Sequence, residues 1–164
     1  MRVLAVDPGL TRCGVAVVET TPDGRTRAVM ADVIRTDPSE DHARRLQAVF
    51  DGVQAAMRST GADVLAIERV FSQHNVRTAM GTAQAAAVCM LAAAQAGLPV
   101  HQHTPTEVKA AVTGSGRAEK GQVAFMVGRI LGLRDLPRPA DATDALALGI
   151  CHVWRSRTRT GVGS

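Results

Sequence analysis

The sequence predicts an α/β domain built on a mixed five-stranded sheet flanked by helices, and three observations carry that prediction. Three short runs rich in Val, Ala and Ile follow one another at the start of the chain, separated only by turn residues. A near-continuous apolar run, Val64-Leu65-Ala66-Ile67, has the character of a strand buried on both faces. The segments around it carry apolar residues every three or four positions, as helices packing one face do. The resulting order, βββαβαβα with helices after it, gives three antiparallel strands followed by parallel ones.

Taken in order, Val3 to Asp7, Cys13 to Glu19 and Thr26 to Ile34 are the first strands, parted by Pro8-Gly9 and by Thr21-Pro22-Asp23-Gly24. From Ser39 to Thr60, Ala43, Leu46, Phe50, Val53 and Met57 mark a helix that Gly61 ends. Asp63 to Glu68 is the central strand and Leu98 to Gln102 a further one. Thr104-Pro105-Thr106-Glu107 and Ala118-Glu119 open two later helices. Ala140-Asp141-Ala142-Thr143-Asp144 opens the last, expected to run to about Trp154.

Between Thr78 and Thr106 there is no charged residue. The Ala-rich content, with Gly81, Thr82, Gln84 and Gln95, is too weakly apolar for a membrane span, so no membrane association is expected. Val76, Met80, Ala83, Ala87, Met90 and Ala94 recur at alternating intervals of four and three, a narrow seam suited to a matching helix. Ala79, Ala86 and Leu91 are assigned to the opposite face. One face on the sheet and one on a second copy of the chain would explain why no side is polar, which predicts a homodimer through Met80, Ala83, Ala87 and Met90.

At 164 residues the chain has room for one domain with a sizeable core, which excludes two-lobed enzymes. Its 46% hydrophobic and 21% charged residues exclude a disordered or collagen-like chain. A net charge of +4 and a pI near 9.6 favour an acidic partner such as nucleic acid. Cys13, Cys89 and Cys151 are odd in number and share no metal-ligand spacing, as expected of a reducing, cytoplasmic location. The apolar run before Asp7 is too short for a signal peptide.

Four carboxylates stand out. Asp7 and Glu68 each end a strand, and Asp141 and Asp144 sit three apart at a helix start. Singly each has an ordinary explanation as a turn former, a solvated strand end or a helix cap. Jointly they converge if the first and fourth strands pair in parallel, because an i, i+3 pair projects from one helix face. Four acids at one sheet edge repel unless cations neutralise them, and oxygen-only ligands select hard ions such as Mg²⁺, with Mn²⁺ a substitute. A two-metal phosphodiester site has this architecture.

These residues carry a family resemblance. Asp7-Pro8-Gly9 with Gly14, Ile67-Glu68-Arg69-Val70-Phe71, Gly114-Ser115-Gly116-Arg117-Ala118-Glu119-Lys120 and Ala140-Asp141-Ala142-Thr143-Asp144-Ala145-Leu146-Ala147 resemble, in order, the motifs of the RuvC family of bacterial Holliday-junction resolvases. The resemblance covers residues 1 to about 155. It implies a ribonuclease H-like fold, a homodimer, Mg²⁺-dependent nicking of two strands of a four-way DNA junction, and cooperation with the RuvA and RuvB branch-migration proteins. It also implies that Asp7, Glu68, Asp141 and Asp144 bind the metal, that Phe71 contacts DNA, and that Lys109 and Lys120 flank the active site. Arg69 stands where Gln is common and Arg117 where a small residue is common, so both bear on DNA contacts. Residues 1–155 are expected to form one nuclease domain, with 156–164 a disordered basic tail.

On pattern alone Phe71 is either a hydrophobic staple at a helix entry or a wedge that unstacks a base, and the resemblance favours the wedge. Arg77 is a candidate phosphate contact at the start of the long helix. His101 and His103 alternate on a strand without ligand-spaced partners, so a polar sheet face is expected rather than zinc. Lys120, one of only two lysines among nineteen basic residues, sits where a cation opposes the helix dipole, which suggests a catalytic reason for it. The competing function is a four-way-junction binding protein of little or no activity on the same fold. Retention of all four acids argues against it, because anionic groups facing phosphate weaken binding.

Overall fold

The computed structural model describes residues 1–71 and 75–160, with the side chains of 158–160 left aside. Strands β1 (Arg2–Asp7), β2 (Arg12–Thr20) and β3 (Thr26–Arg35) form an antiparallel meander; β4 (Val64–Glu68) and β5 (Val100–His103) add in parallel, giving the order β3-β2-β1-β4-β5. Helices α1 (His42–Thr60) and α2 (Val76–Gln95) cover one face, and α3 (Pro105–Thr113), α4 (Lys120–Leu131) and α5 (Ala140–Thr160) the other.

The period-2 alternation of a strand divides the core between those faces. Val3 and Ala5 of β1, with Val64 and Ala66 of β4, pack beneath Leu146, Leu148 and Ile150 of α5. Leu4, Val6, Leu65 and Ile67 point the other way, onto Val49, Val53, Ala85 and Cys89 of α1 and α2. Each such Val, Leu or Ile, removed from water, contributes about 1.5–3 kcal/mol. Gly149 lets α5 lie close on the sheet: a Cβ there would be 2.6 Å from Val18 Cγ2.

Several expected boundaries move for local reasons. Helix α1 begins at His42, not Ser39, because Asp41 accepts the Arg44 N–H as cap while Asp37 accepts the Ser39 N–H in a preceding turn. Leu98 is not in β5; its N–H donates to Ala93 O in the turn that closes α2. The capping box that opens α3 is present, with the Thr104 N–H donating to Glu107 Oε2 at 2.8 Å. Helix α5 continues to Thr160, six residues past Trp154, so residues 156–160 of the expected tail lie on a helix. Residues 161–164 of that expected tail lie outside the described residues.

After Arg77, helix α2 carries no charged residue on either of its sides. Ala85, Ala86, Cys89, Ala92 and Ala93 are buried on the sheet side. Val76, Met80, Ala83, Ala87 and Ala94 are exposed along the opposite side. Two residues differ from expectation. Leu91, 51% exposed, belongs to the open stripe, because at 100° per residue it stands beside Ala87 and not opposite it. Met90 turns towards the core and is partly buried there. No helix among the described residues is long and apolar enough to cross a membrane.

Candidate active site

Val6 of β1 lies opposite Ile67 of β4 in the parallel ladder, so the next residue of each strand, Asp7 and Glu68, leaves the sheet side by side. On the other flank Asp7 pairs with Gly14 of β2. A Cβ on Gly14 would fall 2.2 Å from the main-chain oxygen of Asp141. The missing side chain therefore lets the first turn of α5 rest on the strand ends, which brings Asp141 and Asp144 over Asp7. Four acids from three elements thus meet at one edge of the sheet.

Their mutual repulsion is visible in their proton affinity. Burial pushes the Asp7 carboxyl up to about 7, reinforced by the charges of Glu68, Asp144 and Asp141 and opposed by Lys120. Glu68 is raised by burial and then by Asp144, with Lys120 and Lys109 opposing. Lys120 Nζ lies 3.1 Å from Asp144 Oδ2, and that hydrogen bond leads the effects that raise the lysine. Arg12 Nε stands 3.4 Å from Asp141 Oδ2. The helix acids thus each have one cation of the chain's own, whereas no salt bridge among the described residues includes Asp7 or Glu68.

The donors fit a hard divalent cation: all are carboxylate oxygens, and the innermost, Asp7, forms no ion pair with a cation of the described residues. Among the described residues no three His, Cys, Asp or Glu side chains are already closed into a metal cage, so the acids form an open cluster that ion binding would have to tighten.

The other sequence candidates fall around this cluster. Lys109 of α3 acts electrostatically on Glu68. Phe71 is 56% exposed, so it is not stapled to a helix; with Arg69, Pro8 and Pro105 it lines a small cleft of about 170 Å³ that includes Asp7 and Glu68. The polar residues after it, Ser72 to His74, lie outside the described residues. Arg77 opens onto a larger groove of about 1140 Å³ that runs from Asp7 and Asp141 along α2. Arg117 is exposed on the loop before α4, and among the described residues nothing ties its side chain to the acids.

The strand histidines His101 and His103 lie on one side of β5, as their alternation predicts. His103 is buried, its Nε2 2.9 Å from His152 Nδ1, and the ring of His101 lies 4.9 Å from that of His152. The two strand histidines thus share one polar sheet face, which packs on His152 of α5. His152 gave no signal in the sequence, since only the β5–α5 packing reveals it. Arg12 was also missed. Its place two residues before Gly14, which pairs with Asp7, is the available clue.

A family model described as "Crossover junction endodeoxyribonuclease RuvC" matches residues 3–152. A protein of that description from Frankia alni is 61% identical over 155 residues, covering 94% of this chain and 79% of the relative. One from Salinispora arenicola is 57% identical over 160 residues, covering 98% and 91%. Among solved structures, T. thermophilus RuvC in complex with Holliday junction substrate superposes with a TM-score of 0.91 at 33% identity, covering 98% of this chain and 97% of that one. The yeast mitochondrial Holliday junction resolvase Ydc2 shares the fold, with a TM-score of 0.66 at 10% identity over 96% of this chain and 82% of that one.

Proposed function

The chain belongs to the RuvC family of crossover junction endodeoxyribonucleases, and from that premise we propose that it resolves four-way DNA junctions by paired, symmetric nicks in opposing strands, leaving 5′-phosphate and 3′-hydroxyl ends, in recombination and repair. The observation that carries this reading is the convergence of Asp7, Glu68, Asp141 and Asp144, with Asp7 held near pKa 7 by burial and by its acidic neighbours. Two Mg²⁺ ions, or Mn²⁺ in their place, would be held by these acids and would supply charge to polarise the attacking water and stabilise the leaving 3′ oxygen. Lys120, 82% exposed at its side chain and anchored by Asp144, presents its ammonium where phosphate oxygens gain charge. Lys109 offsets Glu68 and, with Arg69, Arg77 and Arg117, contacts the sugar-phosphate backbone. The exposed ring of Phe71, beside the acids, unstacks a base at the opened crossover.

The reading also includes residues 1–155 acting as one nuclease domain, cytoplasmic action, and work alongside RuvA and RuvB. A homodimer through the open stripe of α2 sets two active sites across the two-fold axis of a junction. Met80, Ala83 and Ala87 lie on that stripe with Leu91, while Met90 stands at its border. Leu91→Glu should give a monomer in sedimentation; Met90→Glu would disturb the core as well.

The test is to incubate the protein with a synthetic mobile four-way junction and Mg²⁺ and map both ends of each cut. Paired nicks in opposing strands are expected. Equal cutting of linear duplex would defeat the junction assignment, and tight binding without any nick would favour the inactive junction-binding reading.

A further inference from the structure

Beside the acid cluster, on the side away from α2, the end of β3, the first turns of α4 and the segment 134–140 enclose a groove of about 1020 Å³. Its rim carries Arg35, Arg134 and Arg138, and it opens at Lys120 and Asp144 onto the active site. No salt bridge among the described residues includes any of those three arginines. The groove holds two acids. Asp144 is engaged by Lys120, which leaves Asp135 as the one carboxylate facing three guanidinium groups.

Arg35 occupies a place that the fold alone does not favour. It is the register partner of Arg12 across the β2–β3 ladder, and like charges directly opposite one another destabilise a strand pair. Arg12 is relieved by Asp141, whereas Arg35 has no salt bridge to an acid among the described residues. The floor is also suited to close approach. Gly121 is exposed and a Cβ there would meet open space, and Ala124 one turn on is as small as a side chain can be. Three guanidinium groups against one carboxylate, around a shallow floor, leave the positive charge and fork geometry that phosphate diesters accept.

Position gives the ligand its direction. The groove lined by Arg77 and the open stripe of α2 lies on one flank of the acids, and this second groove lies on the other. If two copies meet through α2, the first flank faces the centre of the junction and the second faces outward. We propose that the Arg35, Arg134 and Arg138 groove binds the phosphate backbone of the duplex arm that leaves the active site away from the dimer axis. The proposal rests on the junction-nuclease reading and adds to it a second anchoring point that fixes how far the arm extends across each protomer.

The test measures binding of the full-length protein to a four-way junction in chelator, across a salt series. For the Arg35→Ala/Arg134→Ala/Arg138→Ala variant, affinity should fall at least about tenfold, and the slope of log K against log salt should shrink by about 2 to 3, at roughly 0.9 per lost phosphate contact. Shortening one opposing pair of arms to about five base pairs, roughly 17 Å, should impose the same loss on the wild type and none on the variant. Arg134→Lys/Arg138→Lys should keep the wild-type slope, which separates lost charge from lost folding, and Arg58→Ala on α1 should change nothing. A triple variant with wild-type affinity and slope, or a wild type indifferent to the length of either pair of arms, would overturn the groove assignment. Because wild-type cutting of the same junction in Mg²⁺ is scored separately, a wild type that neither binds nor cuts it would instead overturn the underlying function.

Discussion

Two carboxylates on the first hairpin, Asp7 and Glu19, sit at opposite ends of one antiparallel ladder and have opposite fates. Glu19 accepts Arg2 Nε at 2.7 Å and Arg27 Nε at 2.8 Å, and these hydrogen bonds hold it below its ordinary range. Asp7 meets Glu68, Asp144 and Asp141, and is pushed up to about 7. Burial is the first cause of the rise at Asp7, whereas at Glu19 the two arginine hydrogen bonds outweigh it. The difference is the source of positive charge: one end of the sheet is neutralised by its own arginines, and the other is left to be neutralised from outside. A fold gains nothing in stability from the second arrangement, which supports the proposed role of that end in metal binding and cleavage.

The sharpest way to break the comparison is to neutralise each acid in turn. Asp7→Asn should lower single-turnover nicking of a four-way junction at least about a thousandfold, roughly 4 kcal/mol of lost transition-state stabilisation, while junction binding persists. Glu19→Gln should nick within about twofold of wild type. An active Asn variant, or a Gln variant equally dead, would remove the distinction between the two ends.

The same pair should separate in stability without metal. Asp7 in the unfolded chain ionises near 3.8, and in the folded chain near 7. The folded state therefore binds the extra proton across that window, so the contribution of Asp7 to stability is fully present below about pH 4 and is lost as pH rises towards 7. A shift of that size corresponds to at most roughly 4 kcal/mol, reduced by the partial solvent access of the group to about 1–2. In chelator, Asp7→Asn should thus melt above wild type at pH 8 and level with it at pH 4. Adding Mg²⁺ at pH 8 should raise the wild-type Tm and leave the Asn variant nearly unmoved. A metal-free Asn variant less stable than wild type at pH 8 would show that the acid cluster is not repulsive.

Cations offer a milder test. Lys120 is anchored on Asp144 while its charge acts on Asp7 and Asp141 too. Its replacement by a broad, rigid guanidinium should displace that charge, so Lys120→Arg should slow single-turnover cleavage about tenfold, near 1.4 kcal/mol, with affinity for the junction within a few-fold. Arg2→Lys at the other end should leave cleavage unchanged. A Lys120→Arg enzyme that cuts at the wild-type rate would mean that position 120 needs only charge.

How much of this was legible in the sequence follows from what each feature depends on. Asp7 and Glu68 stand at strand ends, and a parallel pairing of their strands suffices to bring them together. Asp141 and Asp144 needed only helical spacing. The Arg12–Asp141 contact depended on Gly14 admitting α5, which no local pattern encodes. The engagement of Glu19 by two arginines required the register of three strands, and the burial of His103 on His152 required packing across 49 positions. Leu91 was misplaced because a seam of alternating threes and fours drifts around a straight helix. Trp154 looked like a helix end because no stop signal follows before Gly161, and the apolar pattern had already run out.

The smallest expected effect concerns Glu19 itself. Its carboxylate is held below the ordinary 4.5 by two arginines, so it contributes stability above pH 4.5 and loses that contribution as pH falls through its lowered folded-state pKa. Both guanidinium groups are about half exposed, with side-chain exposures of 45% for Arg2 and 63% for Arg27, so screening keeps the contribution near 1 kcal/mol. Glu19→Gln should therefore lower the Tm modestly at pH 7, with the deficit shrinking under acid conditions that protonate Glu19 in the folded wild type. This pH dependence runs opposite to that of Asp7→Asn, whose advantage grows with rising pH. Two substitutions on one hairpin, each removing a single charge, should thus diverge in sign as pH increases. Parallel curves for the two variants would mean that the arginines do not hold Glu19 in solution, and the contrast between the two ends of the sheet would reduce to catalysis alone.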